Sequence, residues 1–196
     1  MMKYVFDRVV AVLASVVLLP LFLIISLWIV IDSPGSAFFT QKRVGKDGRI
    51  FGLIKFRTMR PDTEKEGKLT VGTTDKRITR AGQILRKYKL DELPQLWNVA
   101  LAEMSFVGPR PEVPEYVSLY TPEQRKVLKV RPGITDEASL AYFEENDLLA
   151  QSSDPEETYI REIMPAKIRI NLNYLERRSF LSDLKVIFRT LKRILT

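Results

Sequence analysis

The feature that most constrains this chain is an unbroken uncharged run from Val9 to Ile31. At about 1.5 Å per residue it is long enough, as a helix, to cross a bilayer core. It is too long for the apolar part of a cleaved signal peptide, and no clear small-x-small site follows it. A simple spanning helix is the default, and two features oppose it. Pro20 lies in the middle, where it removes a hydrogen bond and bends the helix. Cations flank both ends, Lys3 and Arg8 before the run and Lys42, Arg43 and Lys46 after it. The positive-inside rule then asks for both ends on the cytoplasmic side. A helix that enters, bends at Pro20 and returns meets both conditions. On these residues alone a kinked span stays open.

Asp32-Ser-Pro-Gly35 is a turn that closes the segment. Two strands follow, Ala37 to Val44 and Ile50 to Met59, joined through Gly45-Lys-Asp-Gly48 as a hairpin. On the second strand Lys55 and Arg57 share one face. That face is either a solvated basic surface or a phosphate clamp. Arg60 to Asp75 reads as a loop. Thr79 to Tyr88 reads as a short helix carrying Arg80, Arg86 and Lys87, and Leu93, Leu96, Trp97 and Ala100 recur at helical spacing. A further helix is expected from Thr121, with Thr121 as cap and Pro122 first. Two amphipathic stripes close the chain, Ile160 to Leu175 and Leu181 to Thr196. The second sets Leu184, Phe188 and Leu191 against Lys185, Arg189 and Lys192, a pattern common in helices that lie on anionic membranes; packing on the protein's own core is the alternative for both.

Composition narrows the chemistry. The 196 residues include no His and no Cys. Ser-His-Asp and Cys-His nucleophiles are excluded, as are zinc sites of the His/Cys kind. Catalysis must rest on carboxylates, Lys, Arg, Tyr, Ser or Thr, with any metal a hard cation held by oxygen. The net charge of +7 points to an anionic partner, but it is unevenly spread. Gly133 to Ile160 has acids and no Lys or Arg, whereas the stretch after it is strongly basic. A uniform nucleic-acid coat is the weaker interpretation.

Two stretches can carry chemistry. In Ile84 to Trp97 the adjacent carboxylates Asp91 and Glu92 follow Arg86, Lys87 and Lys89, with Pro94 just behind. Asp91 reads as an N-cap, and helix-start amides with nearby cations hold a carboxylate ionised, ready to attack phosphorus or bind Mg²⁺. An ordinary cap beside a solvated Glu is the plainer alternative. In Gly108-Pro-Arg-Pro111 the prolines fix an extended backbone around Arg110, which suits a phosphate or a base edge. A plain Pro-rich turn is the alternative there.

Taken together, these residues resemble the small monotopic phosphoglycosyl transferases of the bacterial sugar transferase family. The resemblance rests on the Pro-broken membrane segment, Phe39-Thr-Gln-Lys-Arg-Val-Gly45, Lys55-Phe-Arg-Thr-Met59, Asp75-Lys-Arg-Ile-Thr79, Leu90-Asp-Glu-Leu-Pro-Gln-Leu-Trp-Asn98, Val107-Gly-Pro-Arg-Pro111 and Arg131-Pro-Gly-Ile-Thr135. It implies transfer of a sugar 1-phosphate from a UDP-sugar to polyprenol (undecaprenyl) phosphate. Asp91 would be the nucleophile that forms a phosphosugar-enzyme intermediate and releases UMP, with Glu92 helping to hold Mg²⁺. Lys55, Arg57, Arg77 and Arg86 would meet the diphosphate, and Pro109, Arg110 and Pro111 the nucleotide. It also implies a re-entrant helix at 1–32, bent at Pro20, and a cytosolic catalytic domain at 33–196 lying on the bacterial inner membrane. The fold class expected is α+β, mostly helical, with a small β-hairpin and interfacial amphipathic helices. Leu19 stands where many members carry a serine, which leaves Ser15 as the hydroxyl nearest the bend. Asp136-Glu-Ala-Ser-Leu140 departs from the usual run and points to a different sugar pocket. Membrane lipid is an expected partner, nucleic acid is not, and a homodimer is left open. The competing hypothesis is a non-enzymatic membrane-anchored module that binds anionic lipid or nucleic acid.

Overall fold

The computed structural model describes residues 2–61 and 75–195. The loop expected from Arg60 to Asp75 lies almost wholly outside them. The described chain is mostly helical with two two-stranded sheets, the α+β class expected.

The uncharged run forms α1 (Met2–Val17) and α2 (Leu19–Asp32), bent by 62°. Pro20 lies in the first turn of α2, and without an N–H it leaves the carbonyl one turn back unbonded. Ser15 does not patch that gap, because its hydroxyl donates to the carbonyl of Ala11 at 2.7 Å. Among the described residues no single helix is long and apolar enough to cross a membrane; the bent pair together has the length and composition. One side of the pair is core. Ala11, Phe22, Ile25 and Ile29 are buried with Phe56, Leu85 and Leu96, and Phe22 meets Phe56 and Trp97 edge-on. The other side leaves Val9, Val12, Leu13, Leu23, Ile24 and Leu27 exposed.

The hairpin pairs β1 (Phe38–Val44) with β2 (Ile50–Phe56), Phe38 opposite Phe56 and Val44 opposite Ile50. Asp47 and Gly48 turn it with positive φ. Next, α3 (Arg80–Lys87) is capped by Thr79, whose side chain accepts from Gly82 N, and is tied to the end of α2 where Ala81 N donates to Asp32 Oδ2 at 2.9 Å. A 3₁₀ turn (Leu90–Glu92) leads into α4 (Gln95–Ala100). Asn98 of α4 accepts from Ile54 N at 3.1 Å and donates to Gly52 O at 2.7 Å, so it pairs the open edge of β2 as a further strand would.

A second sheet went unforeseen in the sequence: β3 (Ser105–Val107) runs parallel to β4 (Gly133–Thr135). Just beyond it the backbones cross so closely that a Cβ on Gly108 would lie 2.5 Å from Arg131 O, and one on Gly133 would lie 2.1 Å from Gly108 N. Only glycine fits at either position.

Short helices follow: α5 (Pro114–Ser118), a 3₁₀ turn (Gln124–Lys129), α6 (Glu137–Ala141), α7 (Glu145–Ala150) and α8 (Pro155–Thr158). Ahead of the 3₁₀ turn Thr121 and Gln124 exchange side-chain-to-backbone bonds, a capping box at the expected cap. A π-helical turn (Tyr159–Ile163) then opens α9 (Met164–Glu176), and α10 (Phe180–Leu195) ends the described chain. The acidic stretch faces the basic one: Glu137 pairs with Arg177, Glu144 with Arg193 and Glu145 with Lys167. The first stripe packs as core, burying Ile163, Met164 and Ile168. The second does not. On α10 Asp183 and Val186 face inward, while Leu184, Phe188, Leu191 and Leu195 are exposed.

A polar knot ties the two ends of the chain together. Lys3 pairs with Asp183 and donates to Val107 O at 3.2 Å; Asp183 also accepts from the Tyr174 hydroxyl, and Asp7 accepts from Ser105. Phe6 and Phe180 meet edge-on, centroids 5.5 Å apart, beside it.

Candidate active site

Lys89 takes a left-handed conformation (φ 53°), which breaks the chain out of α3 and turns the next residues back over β2. The 3₁₀ turn that follows points Asp91 inward, 7 % exposed. Its Oδ1 is buried with no hydrogen-bond partner. The expected N-cap is therefore absent: α4 starts at Gln95 without a side-chain cap, and Asp91 lies a turn ahead of it.

Glu92 lies at the centre of the cations. Arg110 grips it with two guanidinium nitrogens, Nη2 to Oε1 at 2.5 Å and Nη1 to Oε2 at 3.3 Å, and Lys55 Nζ stands 3.6 Å from Oε1. Burial alone would raise the Glu92 carboxyl, but Arg110 and Lys55 overcome it and hold the group well below the usual carboxylate range. Glu92 in turn raises Arg110. Lys55 is brought down to about 8, chiefly by burial, against the pull of Glu92. Asp91 goes the other way. Burial and the neighbouring Glu92 charge push its carboxyl up, opposed by Lys55, Arg86 and Lys89. The sequence expectation of an Asp91 held down by cations thus fits Glu92 instead, because Glu92 has partners in contact and Asp91 has only their field.

The other expected residues divide. Arg86 donates to Thr58 Oγ1 at 2.8 Å, with Asp91 and Asp75 in its field. Arg77 forks onto Asp75, at 3.0 Å from Nε to either oxygen and 2.6 Å from Nη2. Pro109 and Pro111 flank Arg110 in the loop that follows β3. Arg57 is not brought to this cluster. It lies one residue past β2, and its guanidinium closes the Ser33–Pro34 turn below α2, donating to Ser33 O and, at 2.9 Å, to Pro34 O. A face shared in an ideal strand does not survive the end of the strand.

Sequence reasoning missed Arg43, Glu112 and Tyr159, which meet behind Arg110. Arg43, one of the cations that follow the apolar run, is mostly covered and paired with Glu112 at 2.8 Å. Its place in the Phe39–Gly45 motif was the available signal.

Asp91 and Glu92 are the two acids here that could take part in holding a divalent cation. Among the described residues no three acids gather as a protein-made cage. Mg²⁺ commonly takes one or two carboxylates and completes its shell from substrate phosphate and water. The orphaned Asp91 Oδ1 beside Glu92 suits that kind of site.

The whole chain, residues 1–196, matches the family model described as bacterial sugar transferase. It is 35 % identical over 195 residues to the UDP-N-acetylgalactosamine-undecaprenyl-phosphate N-acetylgalactosaminephosphotransferase of Aeromonas hydrophila, covering 97 % of this chain and 43 % of that protein. It is 36 % identical over 197 residues to the UDP-glucose:undecaprenyl-phosphate glucose-1-phosphate transferase of Caulobacter vibrioides, covering 99 % and 70 %. It is also 32 % identical over 209 residues to the exopolysaccharide production protein ExoY of Rhizobium meliloti, covering 99 % and 85 %. The chain thus spans less than half of the first of these relatives and most of the other two. With the motifs lying in order from the bent apolar helix to the Arg131–Thr135 segment that runs into β4, and with the family's pattern covering every residue, the chain belongs to the bacterial sugar transferase family.

Proposed function

We propose that this chain transfers a sugar 1-phosphate from a UDP-sugar to polyprenol (undecaprenyl) phosphate at the cytoplasmic face of the bacterial inner membrane. The observation that carries the reading is the buried, unpartnered Asp91 Oδ1 in the field of Lys55, Arg86 and Lys89, next to a Glu92 whose oxygens are already taken. A carboxylate oxygen with no hydrogen-bond partner, surrounded by cations, keeps its lone pairs uncommitted, which is what attack on phosphorus requires.

In this mechanism an Asp91 carboxylate oxygen attacks the β-phosphorus. The Asp–phosphorus bond forms as the bond to the bridging oxygen breaks, and UMP leaves with that electron pair. The phosphate of the polyprenol then attacks the same phosphorus and restores the free carboxylate. Neither step needs a base to activate the protein nucleophile, which suits a chain without histidine. Phosphoryl transfer depends on placement and charge neutralisation. Lys55 and Arg86 supply charge for the diphosphate, with Arg77 beside Arg86, and Arg110 with its prolines faces the nucleotide. Arg57 serves by fixing the turn that joins α2 to the hairpin. Mg²⁺, held by Asp91 with Glu92 adjacent, would neutralise the diphosphate charge.

On the same reading, residues 1–32 are a re-entrant segment and 33–196 the cytosolic domain. The 62° bend, the exposed apolar side of α1 and α2 and the exposed apolar row on α10 support one face seated in lipid. The test pairs two measurements. With UDP-glucose and UDP-N-acetylgalactosamine as first donors and undecaprenyl phosphate as acceptor, the chain releases UMP; with a productive donor alone, its intact mass rises by one phosphosugar. Asp91→Asn loses both, by roughly 10⁴-fold or more in rate, as expected when a nucleophile is removed. Turnover without the mass increase would mean direct attack by the lipid. An Asp91→Asn chain that binds anionic vesicles as well as wild type, in a protein that never releases UMP, would favour a binding module.

A further inference from the structure

Behind the loop that presents Arg110 lies a second, separate ion pair. Arg43 Nη1 donates to Glu112 Oε1 at 2.8 Å and to Pro111 O at 3.1 Å, while Gln41 Oε1 takes its Nε and Nη2 at 3.2 and 2.7 Å. The other Glu112 oxygen accepts from the Tyr159 hydroxyl. The Glu112 backbone is fixed too, its carbonyl accepting from Val44 N at 2.9 Å. Arg43 and Glu112 are each only about 15 % exposed.

We propose that Arg43, Glu112 and Tyr159 are positioning residues, a brace that sets where the Arg110 guanidinium stands and so shapes the site for the nucleoside diphosphate. The inference rests on the transferase reading above. Pro109 and Pro111 stiffen the loop, but a stiff loop places its central side chain only if both ends are pinned. The upstream end is pinned where Gly108 and Gly133 cross and Gly133 N donates to Pro109 O at 3.1 Å. The brace pins the downstream end through Pro111 O and Glu112. It also balances charge: Arg43 and Arg110 repel one another, and Glu112 neutralises the one that cannot reach Glu92. Tyr159 opens the π-helical turn, a rare form that often marks functional sites. Its phenol is pushed up by burial and then by Glu112, so it stays a donor.

The experiment uses the full chain in detergent or nanodiscs, with UDP as the binding probe and UMP release as the kinetic one. Tyr159→Phe keeps the ring packed on Tyr116, 5.1 Å away, and removes only the hydroxyl. It is expected to weaken UDP binding and to raise KM for the UDP-sugar by roughly tenfold, the scale of a modest misplacement of a binding group. Glu112→Gln does the same more strongly. Arg43→Lys does not restore function, because it cannot fork between Pro111 O, Glu112 and Gln41. If Tyr159→Phe and Glu112→Gln shift only the melting temperature and leave UDP affinity and KM at wild-type values, the brace is merely structural and the inference falls. A wild type that binds UDP but never releases UMP overturns the transferase reading and leaves the brace to be judged by UDP affinity. A wild type that does neither overturns both.

Discussion

Asp91 and Glu92 are neighbours with opposite electrostatic fates, and that difference predicts how activity responds to pH. Asp91 is pushed up by burial and Glu92, so in the free enzyme its carboxyl keeps a proton to higher pH than a solvated aspartate would. As pH falls the ionised fraction drops, and kcat/KM for UMP release declines on an acid limb that begins above the ordinary aspartate range. Lys55, brought down to about 8, loses its charge as pH rises through that value, and KM for the UDP-sugar climbs there. Lys55→Arg removes the alkaline limb, because a guanidinium stays charged. A pH–rate profile with no acid limb, or an alkaline limb untouched by Lys55→Arg, would contradict this assignment. The pair was legible in the sequence, since two carboxylates among cations stand out in any chain. Which of them would be held ionised was not. That depends on Arg110, 18 residues away, reaching Glu92 rather than Asp91.

At the scale of elements, local signals served well and long-range pairings poorly. The hairpin, the short helix after Thr79 and the bend near Pro20 each follow from a few adjacent residues, and each is present. The β3–β4 pair is not local: three-residue strands 28 positions apart carry no periodicity of their own, and only Gly108 and Gly133 hint at a close crossing. Arg57 shows the same limit, since its partners at Ser33 and Pro34 come from another element. The crossing yields a prediction. Gly108→Ala must push its new methyl against Arg131 O, costing about 1–3 kcal/mol of stability as overpacked sites do, and displacing Arg110 with it. Thermal unfolding and UDP affinity should both fall. Unchanged melting would show that the two backbones have room to part.

For the whole molecule, the question is which surface the apolar side chains are for. α1, α2 and α10 leave rows of large apolar side chains exposed, and contiguous apolar surface of that kind marks interaction sites. Leu184→Glu with Phe188→Glu leaves the inward residues Asp183 and Val186 alone, so the fold should hold. Vesicle binding should weaken at least about tenfold, since each lost insertion is worth on the order of 1.5 kcal/mol or more. Undiminished vesicle binding would remove α10 from the lipid-facing surface.

The Lys3–Asp183 pair joins residues 180 positions apart. During translation α1 leaves the ribosome before α10, and the ammonium of Lys3 then waits, unneutralised by Asp183, until α10 has been made. The seam between α1 and α10 can therefore close only after every residue between Lys3 and Asp183 has been made.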